Sequence, residues 1–425
     1  MIKASMQCTL FIGAFFFIVS SSCSFGEEVS LSLNEAILLA LRDNRSILLK
    51  AEEINKARSK LSEKKADHLP SLTFIGTQQR YFGLLPEDTT NTTTQASIRQ
   101  YLYKGGSIIN NVAKSKYDLE ATQAAAQTTT NEIIFQVTQA FYTLVLAKEF
   151  TTLNENILKN SIAHRDSLQA RYNHGQNSEN DMRQITSSLE NVKAAYEESA
   201  NQVSAVQSLL RNLLYLDEQT DILPVNTVIY DPKDLLYDEG FLQALENRPE
   251  IKEYEAKEKA NKKAIDIAKA EGRPTIWAAW DYYSRSHVIN TSTKNWNDSM
   301  ALGLTISWPV FDGWATKAKV DQAIYDLKQA QLTKQKIIKD IALELKNAYI
   351  ALKDAIAQVR TAEVEILSYE ANFSTIKEKY AKGMSSTLDF DDANLSYQVA
   401  LFTKNQAVYN YLVAHSAFEK ATGGL

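Results

Sequence analysis

Between Gly106 and Gly175, and again between Gly313 and Gly383, the chain runs for 68 and 69 residues without a glycine or a proline. A helix rises 1.5 Å per residue, so each stretch, if helical, is a rod of about 100 Å, several times the length of an ordinary globular helix. Within the second stretch Ile341, Leu345, Ala348, Leu352, Ala355, Val359, Ala362, Ile366, Tyr369, Phe373 and Ile376 alternate steps of four and three. That is a heptad seam. Ile133, Val137, Ala140, Leu144 and Ala147 repeat it in the first stretch. Rods patterned this way must pack on other long helices. Their opposite faces, rich in Gln, Asn, Lys, Glu and Thr, suit water.

The two stretches belong to a duplication. From Leu102 the chain reads LYKGGSIINNVAKSKYDL and from Val310, 208 positions later, VFDGWATKAKVDQAIYDL. The same offset relates Tyr117 to Tyr325, Ala140 to Ala348, Tyr172 to Tyr380, Gly175 to Gly383 and Asp181 to Asp389. Upstream, Asn44-Arg45 matches Asn247-Arg248 at 203 and Pro70-Ser71 matches Pro274-Thr275 at 204. A period near two hundred residues is a doubled unit, not a solenoid. The expected organisation is a first repeat over residues 27–216, a connection over 217–239 that contains Pro224 and Pro232, and a second repeat over 240–425.

In each repeat an amphipathic helix, over residues 31–68 and 241–270, precedes a proline that opens a strand-like segment. Strands are expected over 72–82, 95–103, 275–283 and 299–311, with polar tracts 87–94 and 285–298 between the members of each pair. In the last strand Met300, Leu302, Leu304, Ile306 and Trp308 alternate with Ala301, Gly303, Thr305 and Ser307. Large apolar groups on one face, small ones on the other and Trp280, Tyr282, Tyr283 and Trp308 near segment ends fit a membrane barrel strand. A soluble hairpin with one buried face is the other reading of the same pattern. Four strands cannot close a barrel, so strands that span a membrane require several copies of the chain.

Lys3, the apolar run from Thr9 to Val19 and the small residues Ser20 to Gly26 have the layout of a secretory signal peptide over residues 1–26. Cys23 offers a second option, lipid attachment to a new N-terminal cysteine, although Ser20 stands where an aliphatic residue is usual. Cys8 and Cys23 are the two cysteines, so the mature chain has no disulfide framework or thiolate site. A net charge of −5 and a pI near 5.7 argue against a nucleic-acid partner. No apolar run after the signal is long enough for a transmembrane helix. His68, His164, His174, His287 and His415 form no metal spacing, and no zinc, phosphate-loop or nucleophile motif is present. The reading is a non-enzyme without metal or cofactor. Lys252 to Lys269, interleaved with Glu and Asp, reads as a solvated helix face.

Each rod ends at a glycine turn, Tyr172-Asn-His-Gly175 and Tyr380-Ala-Lys-Gly383, and a return helix begins at Ser178-x-x-Asp181 and Ser386-x-x-Asp389, close to a capping box. Asp391 adds an acid between Asp389 and Asp392. Successive residues point about 100° apart, so the three cannot share one face.

With the Leu31-Ser-Leu-Asn-Glu-Ala opening, the Pro-Ser/Thr strand starts, the Tyr-Lys-Gly-Gly and Phe-Asp-Gly-Trp exits and Leu388-Asp-Phe-Asp-Asp-Ala393 after the second turn, nearly the whole mature chain resembles the TolC-like outer-membrane efflux protein family. The resemblance implies a mostly α protein with a membrane β-barrel contribution: a homotrimer with a shared twelve-stranded barrel in outer-membrane lipid and a tunnel of long coiled-coil helices crossing the periplasm. It implies a passive exit duct for efflux or type I secretion, with a periplasmic adaptor and an inner-membrane RND, ABC or MFS transporter as partners. By the same resemblance Gly175, Gln176, Gly383 and Met384 form the adaptor-contacting tips, Asp389 and Asp392 ring the constriction, and Asp181 and Tyr380 tie the coils together in the closed state. An arginine commonly helps that latch where this chain has Ser385. The alternative is a structural coiled-coil envelope protein without a pore.

Overall fold

The computed structural model describes residues 28–81, 89–174, 178–225, 230, 232, 236–289, 295–385 and 387–424. The elements run β1 (Glu28–Leu31), α1 (Leu33–Asp43), α2 (Arg45–Ala66), β2 (Ser71–Tyr81), β3 (Thr89–Lys104), α3 (Ser107–Asn173), α4 (Glu179–Leu214), β4 (Asp221–Pro224), α5 (Tyr237–Asn247), α6 (Pro249–Ala270), β5 (Thr275–Ile289), β6 (Asn295–Ser307), α7 (Ala315–Ala381) and α8 (Thr387–Thr422). The signal segment with Cys23, and Gly175 and Gln176 of the first turn, lie outside the described residues.

The two rods are helices of 67 residues each, α3 and α7, displaced by 208 positions from end to end. Their return helices α4 and α8, 36 residues each, keep the same displacement. On α7 the seam residues Ile341, Leu345, Leu352, Ala355, Val359, Ala362 and Ile366 are buried, and on α3 so are Ile133, Val137, Ala140, Leu144 and Ala147. Tyr369 departs from the seam and is exposed. Each repeat has its own apolar cluster near mid-rod. Phe141, Leu144, Leu210, Leu214 and Ile222 gather α1, α3, α4 and β4, while Leu345, Leu352, Val359, Tyr411 and Phe418 gather α7 and α8 around α5. Burial of each such side chain contributes about 1.5–3 kcal/mol, so these clusters fix where the lateral helices dock.

The helix expected over residues 31–68 is two helices preceded by a short strand. Asn44 has an extended backbone (φ −65°, ψ 122°), ends α1 and caps α2, its side-chain oxygen accepting from Ser46 N at 2.9 Å. The second copy breaks the same way at Arg248 (φ −58°, ψ 122°), because Pro249 excludes the residue before it from the helical region. Asn44 is therefore equivalent to Arg248 at the 204 offset, one position away from the Asn-Arg match at 203. The connection 217–239 is also not all loop: β4 pairs in parallel with β1, Glu28 opposite Asp221. Lys148 Nζ on α3 donates to the Ile222 carbonyl at 2.8 Å and clamps that small sheet to the rod.

The remaining strands form one antiparallel sheet in the order β2-β3-β5-β6. They are longer than the alternation suggests at β3 and β5. Residues 89–94, 285–289 and 295–298, expected in polar tracts, extend the ladders instead. A wet strand needs no apolar residues, so its composition hides it. For the same reason Trp280, Tyr282 and Tyr283 sit mid-strand in β5 rather than at an end.

Candidate channel wall, tip and equatorial lock

The register sorts the sheet into two chemically distinct faces. Directly opposed residues make the rows Leu72–Ile98–Trp280–Leu302 and Phe74–Ala96–Tyr282–Met300 on one side, continued by Leu304 and Ile306 on β6. On the other side Thr73–Ser97–Asp281–Ala301 and Ile75–Gln95–Tyr283–Ser299 are mostly polar or small. Gln95 Nε2 donates across that polar face to Asp281 Oδ1 at 3.0 Å and to the Tyr283 hydroxyl at 3.2 Å. Leu72, Phe74, Met300, Leu302 and Leu304 are all largely exposed in the single chain. So wide an exposed apolar face, four strands across, requires lipid or protein over it. Trp296 and Trp308 share its alternation and stand 12 residues apart, about 40 Å along the strand and about 30 Å across a bilayer at a tilt near 40°. They flank a membrane-sized span.

Both exits from the sheet into the rods use two successive left-handed residues, Gly105 and Gly106 (φ 60° and 86°), then Gly313 and Trp314 (φ 66° and 70°). A Cβ on Gly105 would stand 2.4 Å from the Ala270 carbonyl oxygen, so glycine is required there. Trp314 takes a conformation unusual for a bulky residue. Its ring is held edge-on by Phe311, centroids 6.3 Å apart, with Lys317 Nζ 5.8 Å from it.

At the other end of the rods, Gly383 (φ 70°) terminates α7. Its N–H donates to the Tyr380 carbonyl at 2.9 Å, and Met384 N donates to the Lys379 carbonyl at 2.8 Å, a glycine-capped helix end. Met384 stands exposed beyond it. Tyr380 stacks on Phe390 of α8 with ring centroids 4.9 Å apart, and Phe373 contacts Phe390 and Tyr397, both at 5.6 Å. This aromatic stack, of which the heptad period marks only Phe373, welds the tip of α7 to α8. Phe390 and the buried Ala393 face α7, whereas Asp389 and Asp392 are exposed and Asp391 is half-buried. The Ser385 hydroxyl donates to Asp389 Oδ2 at 3.3 Å. Asp181 closes a capping box with Ser178: Ser178 N donates to its Oδ2 at 3.0 Å, and its own N–H donates to Ser178 Oγ at 3.2 Å. The backbone bond from Ser178 holds the Asp181 carboxyl below the usual carboxylate range. The capping bonds of Asp181 thus lie within the start of α4, and the Tyr380 ring packs on α8. Ser386, the expected cap of α8, lies outside the described residues.

Midway along the rods a charged knot joins the repeats. The Arg248 side chain is only 6% exposed; its Nη2 lies 2.6 Å from Glu344 Oε2, its Nη1 donates to the Lys420 carbonyl at 3.0 Å, and its Nε is 3.0 Å from Glu250 Oε2 without hydrogen-bond alignment. Lys420 Nζ in turn pairs with Glu132 of α3 at 2.6 Å. Burial raises the Glu132 pKa, but hydrogen bonds from Lys420 and Gln136 outweigh it and hold the group below its ordinary value. Nearby, Tyr409 Oη and Asn405 Nδ2 on α8 donate to Glu149 on α3 at 2.8 and 3.1 Å. On α6 the lysine-rich run is only partly solvated: Glu255 binds Lys334 and Glu258 accepts from Gln331, both on α7, at 3.0 and 3.3 Å. Among the described residues no metal-holding group of side chains occurs.

A profile of the family described as outer membrane efflux protein matches residues 36–214 and 242–424, nearly the whole of both repeats. The curated Protein CyaE of Bordetella pertussis is 22% identical over 351 residues, covering 80% of this chain and 71% of that protein. Among solved structures, CusC superposes with a TM-score of 0.74 at 20% identity, covering 94% of each chain. The open-state MtrE outer membrane channel of Neisseria gonorrhoeae superposes at 0.73 and 18% identity, covering 100% of this chain and 98% of that one. The Campylobacter jejuni CmeC outer membrane channel does so at 0.73 and 18%, covering 92% and 85%.

Proposed function

This chain belongs to the outer membrane efflux protein family, and from that premise we propose that three copies close one twelve-stranded barrel in the outer membrane over a periplasmic tunnel of α3, α4, α7 and α8. The family assignment makes the protein an outer-membrane transport component and not an enzyme. The observation that carries the proposal is the four-stranded sheet: β2 and β6 are its edges, neither has a second partner among the described residues, and one face is apolar across all four strands in the rows of Leu72 and Phe74. Open edges in lipid leave backbone groups unpaired, at several kcal/mol each, so neighbouring copies must pair them. Four strands are too few to close a barrel, so more than one copy must contribute, and the family resemblance implies three copies and twelve strands.

The chain then acts as a passive exit duct energised by an inner-membrane transporter of the RND, ABC or MFS class through a periplasmic adaptor. The tip around Gly383 and Met384, with its counterpart Gly175 and Gln176, is the adaptor surface. Asp389 and Asp392 line the constriction, with Asp181 and Tyr380 as its latch. Exposure of Met384 and of both aspartates supports this placement. Native mass spectrometry of detergent-extracted protein tests the stoichiometry: three chains per particle are expected, and a monomer would overturn the proposal.

A further inference from the structure

The polar face of the sheet carries an uneven set of charges that alternation in the sequence does not reveal. Arg99 and Lys104 of β3 stand opposite Ala279 and Thr275, and Arg285 of β5 stands opposite Thr93, all at positions of the Asp281 face. The β-bulge between Tyr101 and Tyr103 is what brings Lys104 to this side. Contacts agree with the register. The Arg99 guanidinium lies 5.9 Å from the Trp277 ring, Lys104 Nζ 4.9 Å from the Tyr101 ring, and the Arg285 guanidinium 4.9 Å from the Tyr283 ring. Asp281 is the carboxylate that faces them, already accepting from Gln95. Among the described residues of this face, three cations against one carboxylate leave +2 per chain, in a chain whose net charge is −5.

Resting on the trimeric reading, in which this face lines the lumen, we infer that the barrel interior is a binding vestibule for polyvalent anions, phosphate- or carboxylate-bearing. Three chains bring +6 to one water-filled bore walled by low-dielectric strands and lipid, a geometry that focuses the field on counter-ions. The aromatic rings hold the cationic stems along the wall, so little side-chain order has to be gained when an anion arrives. The vestibule is opposite in sign to the aspartates at the tip. A solute leaving the tunnel therefore meets first an acidic and then a basic zone, Lys104 and Arg99 at the periplasmic end of the barrel and Arg285 nearer its outer end.

The test uses the full chain in planar bilayers with tripolyphosphate added on the extracellular side. Voltage-dependent block is expected, stronger at low salt, where screening is weaker. In Arg99→Gln/Lys104→Gln/Arg285→Gln the half-blocking concentration should rise by about tenfold or more, because the lumen charge changes sign. Arg99→Lys/Lys104→Arg/Arg285→Lys should keep the block, and hexaamminecobalt block from the periplasmic side should be the same in all three proteins. A pore indifferent to tripolyphosphate, or one blocked equally after the Gln substitutions, would overturn this inference alone. Absence of any conductance would overturn the channel reading and this inference with it.

Discussion

Asn44 and Arg248, 204 positions apart, make the same connection with different chemistry: the Asn44 amide donates to the Leu213 carbonyl at 2.9 Å, and the Arg248 guanidinium donates to the Lys420 carbonyl at 3.0 Å. Each sits at the break of a lateral helix and fastens it to the last turn of its own repeat's return helix, where carbonyls lack intrahelical partners. Loss of the Asn44 cap and bond in Asn44→Ala should cost about 1–2 kcal/mol. Arg248→Ala should cost more, on the order of 3 kcal/mol, since it takes the buried cation from Glu250 and leaves Glu344 only Lys420 Nζ at 3.6 Å, discounted because Glu344 keeps some solvent. Thermal melts of the detergent-solubilised protein should rank Arg248→Ala below Asn44→Ala and both below wild type. Equal midpoints would remove the connection from the stability of the fold.

The two faces of β6 give a second expectation. Leu304 belongs to the apolar face and Thr305 to the polar one. Leu304→Arg should cost about 2–4 kcal/mol near the bilayer midplane, and Thr305→Arg little, since it points into water. Outer-membrane fractionation after equal expression checks this. Equal assembly of the two variants would contradict the facing assigned to the strand.

At the tip, Asp389 and Asp392 stand exposed on α8 beside its α7-facing surface. Asp389 accepts from the Ser385 hydroxyl, and on the proposed reading both carboxylates line the bore. Asp389→Asn with Asp392→Asn should lower cation selectivity and abolish block by multivalent cations, read as a shift in single-channel reversal potential. Unchanged selectivity would leave these residues as helix-dipole partners only.

Acid should loosen the helix starts before it loosens the rods. The carboxyls of Glu35 and Asp181 are held low chiefly by backbone hydrogen bonds from Ser32 and Ser178. A folded-state pKa below the unfolded one adds stability that is present above the unfolded value and is lost as pH falls through the folded one. Amide exchange at the starts of α1 and α4 should therefore accelerate as pH drops below about 4, the ordinary carboxylate range. Glu35→Gln and Asp181→Asn should abolish that acceleration. Exchange independent of pH after correction for intrinsic rates would contradict the capping-box account.

Much of this architecture is legible in the residues because long-range spacing carries it. The heptad seam from Ile341 to Ile366 is the buried line of α7, and the 208 offset relates α3 to α7 and α4 to α8. What stayed hidden depends on neighbours distant in sequence. The wet ends of β3 and β5 have no apolar period, so only the ladder reveals them. The break at Asn44 has no proline to announce it, and the match to Asn247 pulled the equivalence off by one place. The basic lumen arises from a bulge after Tyr101 that shifts Lys104 across the sheet, and the Arg248 knot unites residues from α3, α6, α7 and α8. Neither leaves a local signature.

The most direct measurement is barrel closure between copies. In one chain β2 and β6 are opposite edges of a four-stranded sheet, too few strands to meet each other, so a covalent link between them must come from different copies. Ala301→Cys on β6 can be combined in turn with Thr73→Cys, Ile75→Cys, Thr77→Cys or Gln79→Cys on the same face of β2, in a sequence whose two natural cysteines lie within the first 23 residues. With a short bifunctional thiol reagent on intact outer membranes, at least one pair should give a ladder on denaturing gels that ends at the trimer. Ladders that stop at the dimer, continue past three chains, or fail to form with any pair would contradict a barrel shared by three copies.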